Sequence, residues 1–132
     1  MDMTIDVSSA EPVYEQIVRQ VHAGIREGRL AQGTPLPPIR QLASDLELNP
    51  NTVAKAYKML EADHVILTAG KKGSFVSNDA TLRIEQLNRQ QAAYQMTTLL
   101  DCLRQRGMTL EQIKAAFDTA VAGLLRTPKG TI

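Results

Sequence analysis

Asn49-Pro50 constrains this chain more than any other pair of residues. Asparagine is a strong helix N-cap, because its side-chain oxygen takes up an orphan N–H of the first turn. Proline suits the first helical position, where its missing N–H is no loss and its φ is already set. A helix therefore starts at Pro50 and runs to about Ala62, with Val53, Ala56, Tyr57 and Leu60 inward. Upstream, Gly33-Thr34-Pro35-Leu36-Pro37-Pro38 is a break that no helix crosses. Between the two breaks Ile39, Leu42, Ala43 and Leu46 recur at helical spacing, which predicts a short helix from about Pro38 to Leu46. Only Glu47-Leu48-Asn49 is left to join the two helices.

The flanking segments complete the pattern. Tyr14, Ile17, Val18, Val21 and Ile25 predict a helix from about Pro12 to Glu27, ended by Gly28. Thr4-Ile5-Asp6-Val7 alternates and predicts a short strand. Val65–Thr68 and Ser74–Ser77 are β-rich runs around Ala69-Gly70-Lys71-Lys72-Gly73, a hairpin turn with two glycines available for positive φ. A long helix follows from about Ala80 to Arg106, polar at first, then carrying Met96, Leu99, Leu100 and Leu103 in register before Gly107. Thr109 and Gln112 form a capping box for a last helix. Its stripe is Leu110, Ile113, Ala116, Phe117, Ala120, Val121, Leu124 and Leu125, and Thr127-Pro128-Lys129-Gly130 is expected to fray. The fold class is mainly α with a small β-hairpin. A winged helix-turn-helix domain occupies residues 1–78, and a two-helix hairpin occupies residues 79–132.

Composition removes several classes of function. The 132 residues include one cysteine, which excludes an internal disulfide framework. No apolar run approaches the roughly 18 residues of a membrane span. Met1-Asp2-Met3-Thr4 lacks the order of a signal peptide, so a cytoplasmic protein is expected. His22, His64 and Cys102 show no metal-ligand spacing. Cys102 lies among Leu99, Leu100 and Leu103 and reads as a small buried apolar residue, and the two histidines read as solvated or capping. Gly70-Lys71-Lys72-Gly73 is too short for a phosphate loop and no helix pattern follows it. No metal, no cofactor and no enzymatic constellation is expected.

In a helix-turn-helix the second helix enters the major groove and reads base edges from its N-terminal turns. Here that helix turns Asn51, Thr52, Lys55 and Lys58 outward, with Asn49 at its cap. Asparagine pairs bidentately with adenine, threonine offers a hydroxyl and a methyl to thymine, and lysine reaches guanine or phosphate. Gly70, Lys71, Lys72 and Gly73 at the hairpin tip suit close approach to a phosphate, and Arg40 sits where it can clamp the backbone. The bland readings are an N-cap for Asn49 and solvated lysines elsewhere. The competing functional reading is a winged-helix module that binds protein rather than DNA. It needs exposed apolar anchors, and Met59 alone offers one on that face.

Three stretches together carry a family resemblance. Leu36-Pro37-Pro38-Ile39-Arg40-Gln41-Leu42-Ala43 resembles the Leu-Pro-Ser-x-Arg-x-Leu-Ala signature of GntR-family transcriptional regulators. Asn49 to Tyr57 resembles the recognition helix of the YtrA branch, and Gly70 to Val76 resembles the family's wing. Pro12-Val13-Tyr14-Glu15-Gln16-Ile17 is similar to its first helix. The resemblance implies a bacterial repressor-type regulator that binds a palindromic operator as a homodimer, often of a transport operon. By motif position it implies DNA contacts from Arg40, Asn49, Asn51, Thr52 and the wing. Three departures stand out. Pro38 replaces a serine hydroxyl, Ala54 stands where many members carry arginine with Lys55 beside it to compensate, and Asp63-His64 replaces an acid-glycine pair.

The last 53 residues are too few to enclose a drug-sized cavity. Their stripe must be buried against something, and a second copy is the expected partner. Met96, Leu99, Leu103, Leu110, Ile113, Phe117, Ala120, Val121 and Leu124 are the candidate dimerisation residues. A small-molecule effector would have to sit at that interface or between winged domain and tail, and no residue names one. The formal net charge of +1 argues against a nucleic-acid partner at face value. However, Leu48–Leu60 and Val65–Asn78 each hold two lysines and no acid. The sign is separated locally, so base contacts and dimer geometry are expected to matter more than raw charge.

Overall fold

The computed structural model describes residues 1–126, so the expected fraying of Thr127-Pro128-Lys129-Gly130 lies outside the described residues. The helices are α1 (Val13–Arg26), α2 (Ile39–Leu46), α3 (Pro50–Ala62), α4 (Ala80–Gln105) and α5 (Leu110–Arg126). Between α3 and α4 lie β1 (Ile66–Thr68) and β2 (Ser74–Val76), antiparallel with Ile66 opposite Val76 and Thr68 opposite Ser74. The chain divides into two compact units, Met1–Asn88 and a second that begins at Arg89.

The first unit is built on one apolar core. Ile17, Val21 and Ile25 of α1, Leu42 and Ala43 of α2, and Val53, Ala56, Tyr57 and Leu60 of α3 are buried together with Val65, Ile66 and Val76. The core reaches past the boundary expected at residue 78. Ala80 and Ile84, one turn apart on α4, are buried in it, and Leu87 packs against it. The 3.6-residue period that runs through α4 thus serves the winged unit first.

The helix ends show why the turns are so short. After α2, Glu47 takes a left-handed conformation (φ 55), and Leu48 N–H bonds back to the Ala43 carbonyl at 2.8 Å. After α3, His64 does the same at φ 60, with Val65 N–H on the Leu60 carbonyl at 2.9 Å. His64 takes on the strain that glycine would escape.

Two segments differ from expectation. Thr4-Ile5-Asp6-Val7 is not a strand. Its partners are side chains: Thr4 N–H donates to Gln20 Oε1 at 3.0 Å and Gln20 Nε2 returns a bond to the Thr4 carbonyl at 2.8 Å. Asp6 exchanges the same pair with Gln16, at 2.9 and 2.8 Å. A primary amide carries the donor and acceptor of a peptide group, so two glutamines one turn apart on α1 stand in for a neighbouring strand. The second segment, Gly33–Leu36, is more than a break. Leu36 N–H bonds to the Ser74 carbonyl at 2.9 Å and Val76 N–H to the Thr34 carbonyl at 2.9 Å, which lays the segment along β2 as a third edge. Proline is tolerated there because an outer edge needs no inward N–H at every residue.

His22 corrects the solvated reading. It is half-buried, and its Nε2 is buried without a hydrogen-bond partner. Burial pushes its pKa down, with Arg26 adding to the effect and Asp63 opposing it. The unfolded chain therefore takes up this proton more readily than the folded one. Stability should be lost as pH falls below the unfolded value of about 6.5 toward the lower folded value. Thermal melts across pH 7.5 to 5 are expected to show that fall in the native chain and a smaller one in His22→Leu. Equal pH dependence in both would contradict the assignment.

Candidate nucleic-acid interface

α3 is fastened on its inner side, and this decides what its outer side shows. Val53, Ala56 and Leu60 have no exposure at all. Burying side chains such as Val53 and Leu60 contributes about 1.5–3 kcal/mol each. The Tyr57 hydroxyl donates to the Pro37 carbonyl at 2.6 Å, tying α3 to the loop that enters α2. Burial pushes the Tyr57 phenol up to about 12, so it stays a donor through the neutral range.

At the start of α3, Asn49 Oδ1 accepts the Asn51 N–H at 2.8 Å. Its side-chain oxygen is engaged in the cap, which favours the structural role for Asn49 over a base contact. Asn51 is exposed at the second helical position, whereas Thr52 is half-buried. Lys55 and Lys58 are exposed and follow Asn51 by four and seven residues, so the three share one face. No acidic residue lies in the first turn, where the helix dipole already favours an anion. Arg40 is exposed in the first turn of α2.

The wing is tied to α3 through its far end. The Thr68 hydroxyl donates to Glu61 in the last turn of α3 and lies 3.2 Å from the Ser74 hydroxyl on β2. The wing turn is tighter than a plain hairpin loop: Gly70–Lys72 forms one turn of 3-10 helix. Ala69 N–H closes it on the Gly73 carbonyl at 2.8 Å. Gly70 and Gly73 have φ of +55 and +91, and a Cβ on either would meet nothing within 4 Å. Backbone angle, not space, is what demands glycine there. Lys71 and Lys72 are exposed between them.

The second unit presents its apolar stripe to solvent. Met96, Leu99, Leu110, Phe117 and Leu124 are each more than half exposed, and Ala120 is exposed too. Leu103 and Val121 are half-buried. Ile113 differs from the rest of the set: at 6% exposure it is already buried within the single chain. Cys102 also corrects the sequence reading, because it is exposed and not buried. Every residue from Asn88 to Cys102 is exposed, so the leucines around Cys102 give it no cover within one chain.

Sequence reasoning missed Tyr14. Counted with the inward stripe of α1, it is half-buried, and the Lys55 ammonium lies over its ring at 4.0 Å from the centroid. Helical periodicity places Tyr14 on a face but says nothing of a partner so distant in sequence. Glu61 and Thr68 were missed for the same reason. Among the described residues, no group of three or more His, Cys, Asp or Glu is placed to hold a metal. Among the same residues, no helix is long and apolar enough to cross a membrane.

Comparison with known proteins agrees with this geometry. The family described as bacterial regulatory proteins, gntR family, matches residues 13–76, the span from α1 through β2. The HTH-type transcriptional repressor YtrA of Bacillus subtilis is 34% identical over 109 residues, covering 83% of this chain and 84% of that protein. A GntR family transcriptional regulator from Listeria monocytogenes has a similar structure, with TM-score 0.61 and 32% identity over 85% of this chain and 97% of that one. YtrA from Sulfolobus acidocaldarius, a GntR-family transcription factor, gives TM-score 0.61 and 27% identity over 92% and 97%. This chain belongs to the GntR family, as a winged-helix DNA-binding transcriptional regulator and not an enzyme.

Proposed function

We propose that this chain works in the cytoplasm as a homodimeric repressor on an inverted-repeat operator. Residues 1–78 form its DNA-binding domain, whose core the first turns of α4 complete, and residues 79–132 carry its dimerisation region on the part of α4 beyond those turns and on α5. The observation that carries the DNA reading is the outer face of α3. It shows Asn51, Lys55 and Lys58 together, next to a capped helix start with no acid in its first turn. Asn51 and Thr52 are assigned to base edges. Arg40, Lys55, Lys58, Lys71 and Lys72 are assigned to the phosphate backbone, with Gly70 and Gly73 shaping the wing. Asn49 contributes by holding the helix start in place.

The exposed stripe on α4 and α5 supports the dimer. Large apolar side chains at helical spacing do not stay in water when a matching copy is present. A twofold axis would set the two recognition helices about one DNA turn (~34 Å) apart. In this reading a small-molecule effector acts by favouring one separation of those helices over another.

Binding titrations on duplexes enriched from a random pool test the DNA assignments. Asn51→Ala is expected to relax preference at one base pair, at about 1–3 kcal/mol of discrimination. Lys71→Ala is expected to weaken binding to all duplexes alike and to reduce the slope of log K against log salt by about 1. An unchanged slope would remove the wing lysine from the interface. For assembly, sedimentation is expected to give twice the 14.5 kDa of one chain. Phe117→Glu is expected to shift the mass toward a single chain, and a monomeric native protein would contradict the dimer.

A further inference from the structure

The outer face of α3 has a support on α1. The Lys55 Nζ stands 4.0 Å from the centroid of the Tyr14 ring. The ring is well placed to act as a fixed platform, because Tyr14 is half-buried and packs against the core of the first unit. Its hydroxyl donates to Glu15 Oε1 at 3.2 Å, which holds the phenol protonated and pushes electron density into the ring. A cation is drawn to the negative face of such a ring. The ammonium has three donors, and a ring on one side leaves the others free on the solvent side, where Lys55 is exposed. Lysine otherwise swings on a flexible four-carbon stem and loses that freedom when it binds.

We propose that Tyr14 is a positioning residue for DNA binding: its ring holds the Lys55 ammonium at the side of α3, aimed before a backbone phosphate arrives. The proposal rests on the reading of α3 as the recognition helix. It adds a residue of α1 that does not itself reach the bases.

The test uses the full chain and a duplex that it enriches from a random-sequence pool. Tyr14→Leu is expected to weaken binding about two- to fivefold, the scale of one exposed cation–π contact. Tyr14→Phe keeps the ring face and should stay within about twofold of the native chain. In a Lys55→Met background, Tyr14→Leu should change nothing further. Equal losses with and without Lys55 would make Tyr14 a packing residue and overturn the proposal, as would no loss at all. Proton NMR gives a reading that does not depend on the leucine variant folding. The Lys55 ε-methylene protons should be shifted upfield by the ring in the native chain and in Tyr14→Phe, with and without DNA. Unshifted protons would overturn the proposal. If the native chain enriches no duplex, the recognition-helix reading itself fails. Enrichment with Tyr14 and Lys55 uncoupled removes only this inference.

Discussion

The rotation of α3 about its own axis is the setting on which the rest depends. Val53, Ala56, Tyr57 and Leu60 are buried, and the Tyr57 hydroxyl is bonded to Pro37. Turn the helix by one residue, about 100°, and the face that Asn51, Lys55 and Lys58 share no longer points outward. Asn49 and Pro50 fix where the helix begins, and the core fixes which way it points. Recognition chemistry is thereby separated from folding chemistry on one short element. The inner face can be mainly apolar and the outer face mainly polar, with Met59 as the exposed apolar exception.

The two short turns of the first unit follow the same economy of space. α2 and α3 each end on a non-glycine residue in the left-handed region, Glu47 and His64. Such residues are uncommon, and each carries a local strain that the packed elements on either side hold in place, α2 and α3 around Glu47 and α3 and β1 around His64. The wing is steadied in two further ways. Gly33–Leu36 lies along β2, and Thr68 links β1 to Glu61 of α3. The wing and α3 therefore share a mechanical connection inside one unit.

Much of this was legible in the sequence, and the rest was not, for identifiable reasons. Caps, prolines and apolar periods act locally, so α1 to α5, the hairpin and the Thr109–Gln112 capping box could be read directly; the box is made at 3.0 and 3.1 Å. Glu47 and His64 were not legible as left-handed residues, because nothing in their side chains asks for that conformation. The segment from Thr4 to Asp6 looked like a strand because it alternates, but its hydrogen-bond partners are the amides of Gln16 and Gln20. Periodicity reports the face that a residue occupies and not the group it meets. The same limit hid Tyr14 behind Lys55. Cys102 and its neighbouring leucines looked like core, yet they are surface in one chain. Apolar spacing marks a face on the helix, and a sequence does not say whether the chain's own core covers that face.

The net charge of +1 remains the most misleading single number about this chain. Acids and bases are sorted by position, so a bulk value near zero coexists with a locally basic stretch on α3 and on the wing. Hydroxyl-radical footprinting of a duplex enriched by the full chain tests the central claim most directly, namely that two such surfaces act together on one operator. The expected result is two groups of protected sugars on one face of the duplex, about one turn (~34 Å) apart, with two chains bound per duplex. A single protected patch with one chain per duplex would contradict it.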